Sequence, residues 1–179
     1  MGQRRTEVLR AAIELLDEVG LDGLTMRLLA SRLGVRASAL YRHYPSKQAL
    51  LDAMVAHLIV PPDGAPPIDG PWDERLRTVA TGAREVMLAH RDGARLLTGF
   101  QQPSDEAVAA FDGLVATLVA AGLSQDSATV AVDTVMAYVN GSTMEEQTRK
   151  ADTWPREKRD RAFLAGLELI IDGIRGSLP

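Results

Sequence analysis

Apolar residues in this chain recur at helical spacing and almost never alternate, so helix is the only regular structure most of it can form. Val8, Ala12, Leu15, Leu16 and Val19 share one face of a first helix, and Gly20 follows as its C-cap. Thr25 is placed to N-cap a second helix carrying Met26, Leu29, Ala30 and Leu33, stopped by Gly34. A third, short helix runs to about Tyr44, where Pro45 ends it. Ser46 caps a fourth, with Leu50, Leu51, Met54 and Leu58.

Between Pro61 and Pro67 stand four prolines and a glycine, which no helix tolerates, so 61–71 is expected to be a loop. Beyond it, helices are expected over Trp72–His90, Ala94–Thr98, Ser104–Ala121, from Ser124 to at least Gln147, and from Pro155 to near Gly176. The expected fold class is all-α. A helix-turn-helix domain spans 1–46, a connecting helix 47–60, the proline-rich loop 61–71, and a larger helical domain 72–179.

The net charge of −4 is unevenly spread. Residues 1–58 hold eight basic side chains against six acidic ones, and the remainder twelve against eighteen. The stretch from Gly23 to Leu51 carries Arg27, Arg32, Arg36, Arg42 and Lys47 with no carboxylate, a local footprint for a polyanion. With no cysteine, disulfides and thiolate metal sites are excluded. No run reaches the ~18 apolar residues of a membrane span. The amino terminus lacks the apolar core of a signal peptide, and a cytoplasmic protein is expected.

The second and third helices, joined by a tight glycine-containing turn, have the form of a helix-turn-helix. Ala30 is small where the helices must approach, Gly34 can take the left-handed conformation, and Leu40 anchors the third helix. Around Leu40 lie Ser38, Ala39, Tyr41 and Arg42, groups that meet phosphates and base edges in a major groove. On these residues alone, a generic helical hairpin with a basic surface remains an equal reading.

Over Arg5–Leu58, the segments Leu21-Asp22-Gly23-Leu24-Thr25, Leu29-Ala30, Leu33-Gly34-Val35 and Ala39-Leu40-Tyr41-Arg42-His43-Tyr44, continued by Lys47–Leu51, resemble the DNA-binding domain of the tetracycline-repressor (TetR) family. The resemblance implies phosphate contacts from Thr25, Tyr41, His43 and Lys47 and a base contact from Arg27. Arg36, Ser38, Ala39 and Arg42 complete the expected DNA-binding set. His90-Arg91-Asp92-Gly93-Ala94-Arg95 and Gly141-Ser142-Thr143-Met144-Glu145-Glu146-Gln147 are similar to the effector domain of the family's drug-binding branch.

The departures from that branch concern the effector. Where its members use a histidine to help hold magnesium, this chain has Leu97, which has no lone pair to give. Drug-contacting positions correspond to Val79 and Ala83, and the retained Glu145 cannot make a magnesium site alone. No metal and no cofactor are therefore expected, and the effector should be mostly apolar. Its expected lining comes from Trp72, Val79, Ala83 and Met87, from Leu97 and Phe100, and from Phe111, Met136 and Tyr138. Gln101 and Asn140 are candidate polar anchors, and core packing is the competing role for each apolar member.

Val132, Val135 and Val139 form one apolar stripe, and Phe163, Leu164, Leu167, Ile170, Ile171 and Ile174 another. A single chain can bury both internally; the resemblance implies that they pair with their copies in a homodimer. The expectation is a repressor that holds palindromic double-stranded DNA as a dimer and leaves it when a small molecule binds, with no membrane partner. A transcriptional activator or a ligand-independent DNA binder of the same fold is the alternative, and a small helical enzyme a more distant one. Adjacent Glu145 and Glu146 point about 100° apart, and no nucleophile or phosphate loop accompanies them.

Overall fold

A computed structural model describes residues 2–59, 70–150 and 153–179. Nine α-helices follow one another among them: α1 Gly2–Gly23, α2 Met26–Arg32, α3 Ala37–Tyr41, α4 Lys47–Ile59, α5 Trp72–Ala89, α6 Gly93–Thr98, α7 Asp105–Ala120, α8 Gln125–Glu145 and α9 Arg156–Arg175. A π-helical turn, Glu146–Lys150, continues α8. Except for Gly70 and Pro71, the proline-rich loop expected at 61–71 lies outside the described residues.

Local chemistry sets the helix boundaries. Gly20 has φ 76°, so α1 breaks its helical backbone there even though its hydrogen bonding carries on to Gly23. Oγ1 of Thr25 accepts the Leu28 N–H at 3.1 Å, and Oγ of Ser46 accepts that of Ala49 at 3.0 Å. Gly34 takes φ 64° between α2 and α3. Ser124 caps α8 through the Ser127 N–H at 3.2 Å. The helix expected to run to at least Gln147 changes to π geometry from Glu146, the residue whose carboxylate is drawn into the core.

The chain divides into two compact units, Met1–Ala65 with Val86–Ala107, and Pro66–Glu85 with Val108–Pro179. This differs from a boundary at Trp72, because the last turn of α5 and all of α6 pack with the amino-terminal helices. Asp17 accepts the Arg91 N–H at 2.9 Å and faces His90 Nδ1 at 3.0 Å. Arg91 donates to the Glu18 carbonyl at 2.7 Å, and Arg95 forks onto Asp22 at 3.0 and 3.1 Å. Asp92, in the left-handed conformation, accepts the Leu21 N–H at 2.8 Å. On the other side, Asp52 accepts from Gln48 at 2.8 Å and from the Gln101 N–H at 3.0 Å. The core of this unit is Leu15, Leu16, Leu24, Leu29, Leu40, Tyr44, Leu50 and Met54, with Leu96 of α6.

In the second unit α8 and α9 pack along their length. Val132, Val135 and Val139 meet the interior that Phe163, Leu167, Ile171 and Ile174 complete, and all seven are buried within one chain. Of the two uses open to these stripes, burial within the chain takes most of their side chains: Leu167, at 0% exposure, has no surface left to give a second copy. Of the nine residues expected at the interface, only Leu164 is exposed and Ile170 half-buried. The outward side of the pair is a groove lined by Leu123, Asp126, Ser127, Val130, Ala131, Thr134, Gly173 and Ser177 and by Ile170 and Ile174, two of the residues expected at the interface.

One charged cluster is enclosed in this unit. Arg84 reaches Glu146 at 2.8 Å and Asp160 at 2.7 Å, and Arg159 Nε lies 3.3 Å from the other Glu146 oxygen. Both Arg84 and Glu146 side chains are only 7% exposed. Burial disfavours the Arg84 charge, but hydrogen bonds from Asp160 and Glu146 outweigh it and raise the pKa. The Arg84 guanidinium also sits 4.8 Å over the Phe163 ring.

Candidate DNA-reading surface and effector domain

Tertiary packing decides which cations of the acid-free stretch face outward. Arg32 is claimed by Glu18, both of whose oxygens lie 2.6 Å from its Nη2. Lys47 donates its ammonium to the Leu21 carbonyl at 3.0 Å, at the carboxyl end of α1. It was expected at phosphate; its first structural engagement is this tie between α4 and α1. Arg27, Arg36 and Arg42 remain exposed, with no ion pair among the described residues.

Leu40 and Tyr44 determine how α3 is presented. Leu40 is 2% exposed and Tyr44 1%, so both point inward, and Tyr44 gives its hydroxyl to the Arg5 carbonyl at 3.4 Å under the Arg5 guanidinium. With those two fixed, 100° per residue turns Ser38, Tyr41 and Arg42 outward; Tyr41 is 49% exposed. Ala39 is half-buried beside them, and His43 is exposed just after α3. Thr25, having accepted the α2 cap bond, keeps its own hydroxyl proton to donate. The result is one set of exposed donors: Thr25, Arg27, Arg36, Ser38, Tyr41, Arg42 and His43. Such groups bind phosphates and base edges, and the three guanidiniums supply the charge.

The residues expected around an effector fall in both units. In the first, Met87 and Leu97 are buried, whereas Phe100 and Gln101 are exposed. In the second, Val79 and Ala83 are half-buried one turn apart on α5, as are Met136 and Asn140 on α8, and Phe111 is half-buried on α7. Trp72 lies beneath the Arg175 guanidinium at 5.8 Å. Tyr138 takes the packing role that competed with ligand contact: its ring stacks on Phe163 at 5.5 Å and its hydroxyl donates to the Phe163 carbonyl at 2.9 Å. Opposite it only glycine fits, since a Cβ on Gly166 would stand 2.2 Å from the Tyr138 oxygen. Tyr138 is thereby a packing residue of α8 against α9. Neither the Arg84–Glu146 cluster nor the Arg91, Asp92 and Arg95 contacts is readable from the sequence, because periodicity marks apolar faces and leaves charge pairing unspecified.

An outward-facing helix-turn-helix with Arg27, Arg36 and Arg42 unspent, in a chain that also has a second helical unit with its own core, defines a one-component transcriptional regulator. The chain belongs to the tetR family of bacterial regulatory proteins: residues 8–54 match that family, and residues 65–160 match the tetracyclin repressor-like C-terminal domain. It is 37% identical to the class C tetracycline repressor protein of Escherichia coli, over 96% of this chain and 90% of that one. Its fold superposes with TM-score 0.84 on a TetR variant from Acinetobacter baumannii AYE in complex with minocycline, at 35% identity and covering 97% of both chains. A structure of BioQ with its double-stranded DNA operator gives TM-score 0.75 at 32% identity, covering 95% of this chain and 96% of that one.

Proposed function

We propose that the protein is a ligand-responsive transcriptional repressor rather than an enzyme: two copies occupy a palindromic operator in the cytoplasm, and a small molecule held by the C-terminal domain releases them. The observation that carries this reading is the set of exposed donors on and beside α2 and α3, held outward because Leu40 and Tyr44 are buried behind them. Relatives named as repressors, and fold neighbours solved with operator DNA and with a drug, support it. Thr25, Tyr41 and His43 hold phosphate, and Arg27, Arg36, Ser38, Ala39 and Arg42 meet the groove. A half-site in each half of a palindrome requires a second copy. The groove between α8 and α9, with the exposed Val130 on its rim, is the surface on which that copy sits.

The effector binds without magnesium, because Leu97 stands where the drug-binding branch has its histidine. Release follows if the ligand prefers the state in which the heads are apart, and its differential affinity sets the shift. A gel shift with palindromic fragments from the flanking DNA, repeated across a salt series, tests the reading. The expected result is a retarded dimer complex whose log affinity falls linearly with log salt. Salt-independent binding, or none, refutes it.

A further inference from the structure

Arg75 on α5 is set apart from the other enclosed arginines of its unit. Among the described residues there, Arg77, Arg84 and Arg159 each have a carboxylate oxygen within 3.3 Å, whereas Arg75 pairs with none. Arg75 is half-buried, and its Nε, like that of Arg159, is shielded from solvent without a hydrogen-bond partner; what separates the two is that Arg159 faces a Glu146 oxygen at 3.3 Å and Arg75 faces no carboxylate among the described residues. The neighbouring Asp73 is already held by Arg77 and Arg175, and Glu74 is exposed. A shielded Nε–H with no acceptor is costly, and an anion with one oxygen on Nε and another on the adjacent terminal nitrogen would satisfy it.

The helical repeat places Val79 and Gly82 on the same face, one and two turns beyond Arg75. Both are half-buried, and a Cβ built on Gly82 would meet nothing within 4 Å. One strip of α5 thus offers a cation at one end, an apolar step at Val79, and open room over Gly82. We infer that the Arg75–Val79–Gly82 face of α5 binds an amphipathic organic anion, its acid group on the Arg75 guanidinium and its apolar body along Val79 and over Gly82. This rests on the effector reading above and narrows it: the molecule sensed carries a carboxylate, sulfonate or phosphate.

Two fluorescent probes with nearly the same aromatic body separate the charge from the apolar part: anilinonaphthalene sulfonate and the neutral phenylnaphthylamine. Each is titrated into the intact dimeric protein, its Arg75→Gln and Arg75→Lys variants, and a Gly82→Leu variant. Arg75→Gln is expected to weaken the sulfonate about tenfold, as loss of one charge-assisted contact should. The neutral probe should stay within about twofold, and Arg75→Lys should restore most of the sulfonate affinity. Gly82→Leu, filling the open room, should weaken both probes. If Arg75→Gln leaves the sulfonate titration unchanged, or weakens both probes alike, the inference is overturned. Operator gel shifts without probe on the same proteins keep the two ideas apart. A wild-type protein that binds no operator refutes the repressor, whereas operator binding by every variant alongside a charge-blind probe response refutes only the anion site.

Discussion

The ammonium of Lys47, the first residue of α4, donates to the carbonyl of Leu21 at 3.0 Å, beside the break in α1 at Gly20. A carbonyl at a helix end lacks an intrahelical donor, and this cation supplies one. Lys47→Met should therefore lower head stability by about 1 kcal/mol, the worth of one partly screened charge-assisted bond. Tyr41→Ala, which removes an exposed ring, should change stability by less than about 0.5 kcal/mol yet weaken operator binding. Urea midpoints read beside operator titrations check both. A Lys47→Met protein as stable as wild type would show the tie to be idle.

Leu167 and Val130 make a paired test of the second unit. Leu167 is 0% exposed, so a glutamate there is buried without a partner, at a cost of several kcal/mol, and Leu167→Glu should fail to fold. Val130 is 64% exposed on the α8–α9 groove, so Val130→Glu should fold normally and sediment as monomer. Normal circular dichroism for Leu167→Glu, or an intact dimer for Val130→Glu, would count against the packing described.

Glu146 is the hinge of the enclosed cluster, bonded to Arg84 at 2.8 Å and facing Arg159 at 3.3 Å. Glu146→Gln leaves Arg84 with Asp160 alone. Breaking a buried pair costs about 3–5 kcal/mol; because Asp160 remains, about 2–3 kcal/mol is expected here. Thermal unfolding of Glu146→Gln beside an Asp160→Asn control, whose carboxylate is the more exposed, measures it. Equal losses would deny Glu146 its central place.

Acid should expose the Arg77–Glu168 pair. The Arg77 guanidinium, bonded at 2.6 Å and helped by the Arg175 charge, holds the Glu168 carboxyl below the usual range against its partial burial and the nearby Asp73 carboxylate. A depressed folded pKa means the contribution is complete above the unfolded value of about 4.3 and is lost as pH falls through the folded one. Melting temperatures of wild type and Glu168→Gln should thus differ by a constant amount from pH ~5 to ~8 and converge below pH ~4. A gap that persists at low pH would mean that something other than charge holds this pair.

The sequence by itself determined which segments are helical and most of their limits, because caps and breakers act within a few residues, although α3 ends at Tyr41 rather than near Tyr44 and α8 at Glu145 rather than at Gln147 or beyond. Thr25, Ser46 and Ser124 supply oxygens to nearby N–H groups, and Gly20 and Gly34 take backbone angles other residues resist. It also determined which face of α3 points outward, since burying Leu40 orients Tyr41 and Arg42. Only the tertiary structure decided what each charge and each apolar stripe is used for. Arg32, Arg42 and Lys47 look alike in the sequence, yet Glu18 and the Leu21 carbonyl take two of them and leave the third exposed. The stripe through Leu167 carries the same helical period whether it meets its own chain or a copy. Periodicity fixes a direction around one helix axis; the partner in that direction depends on contacts between residues distant along the chain.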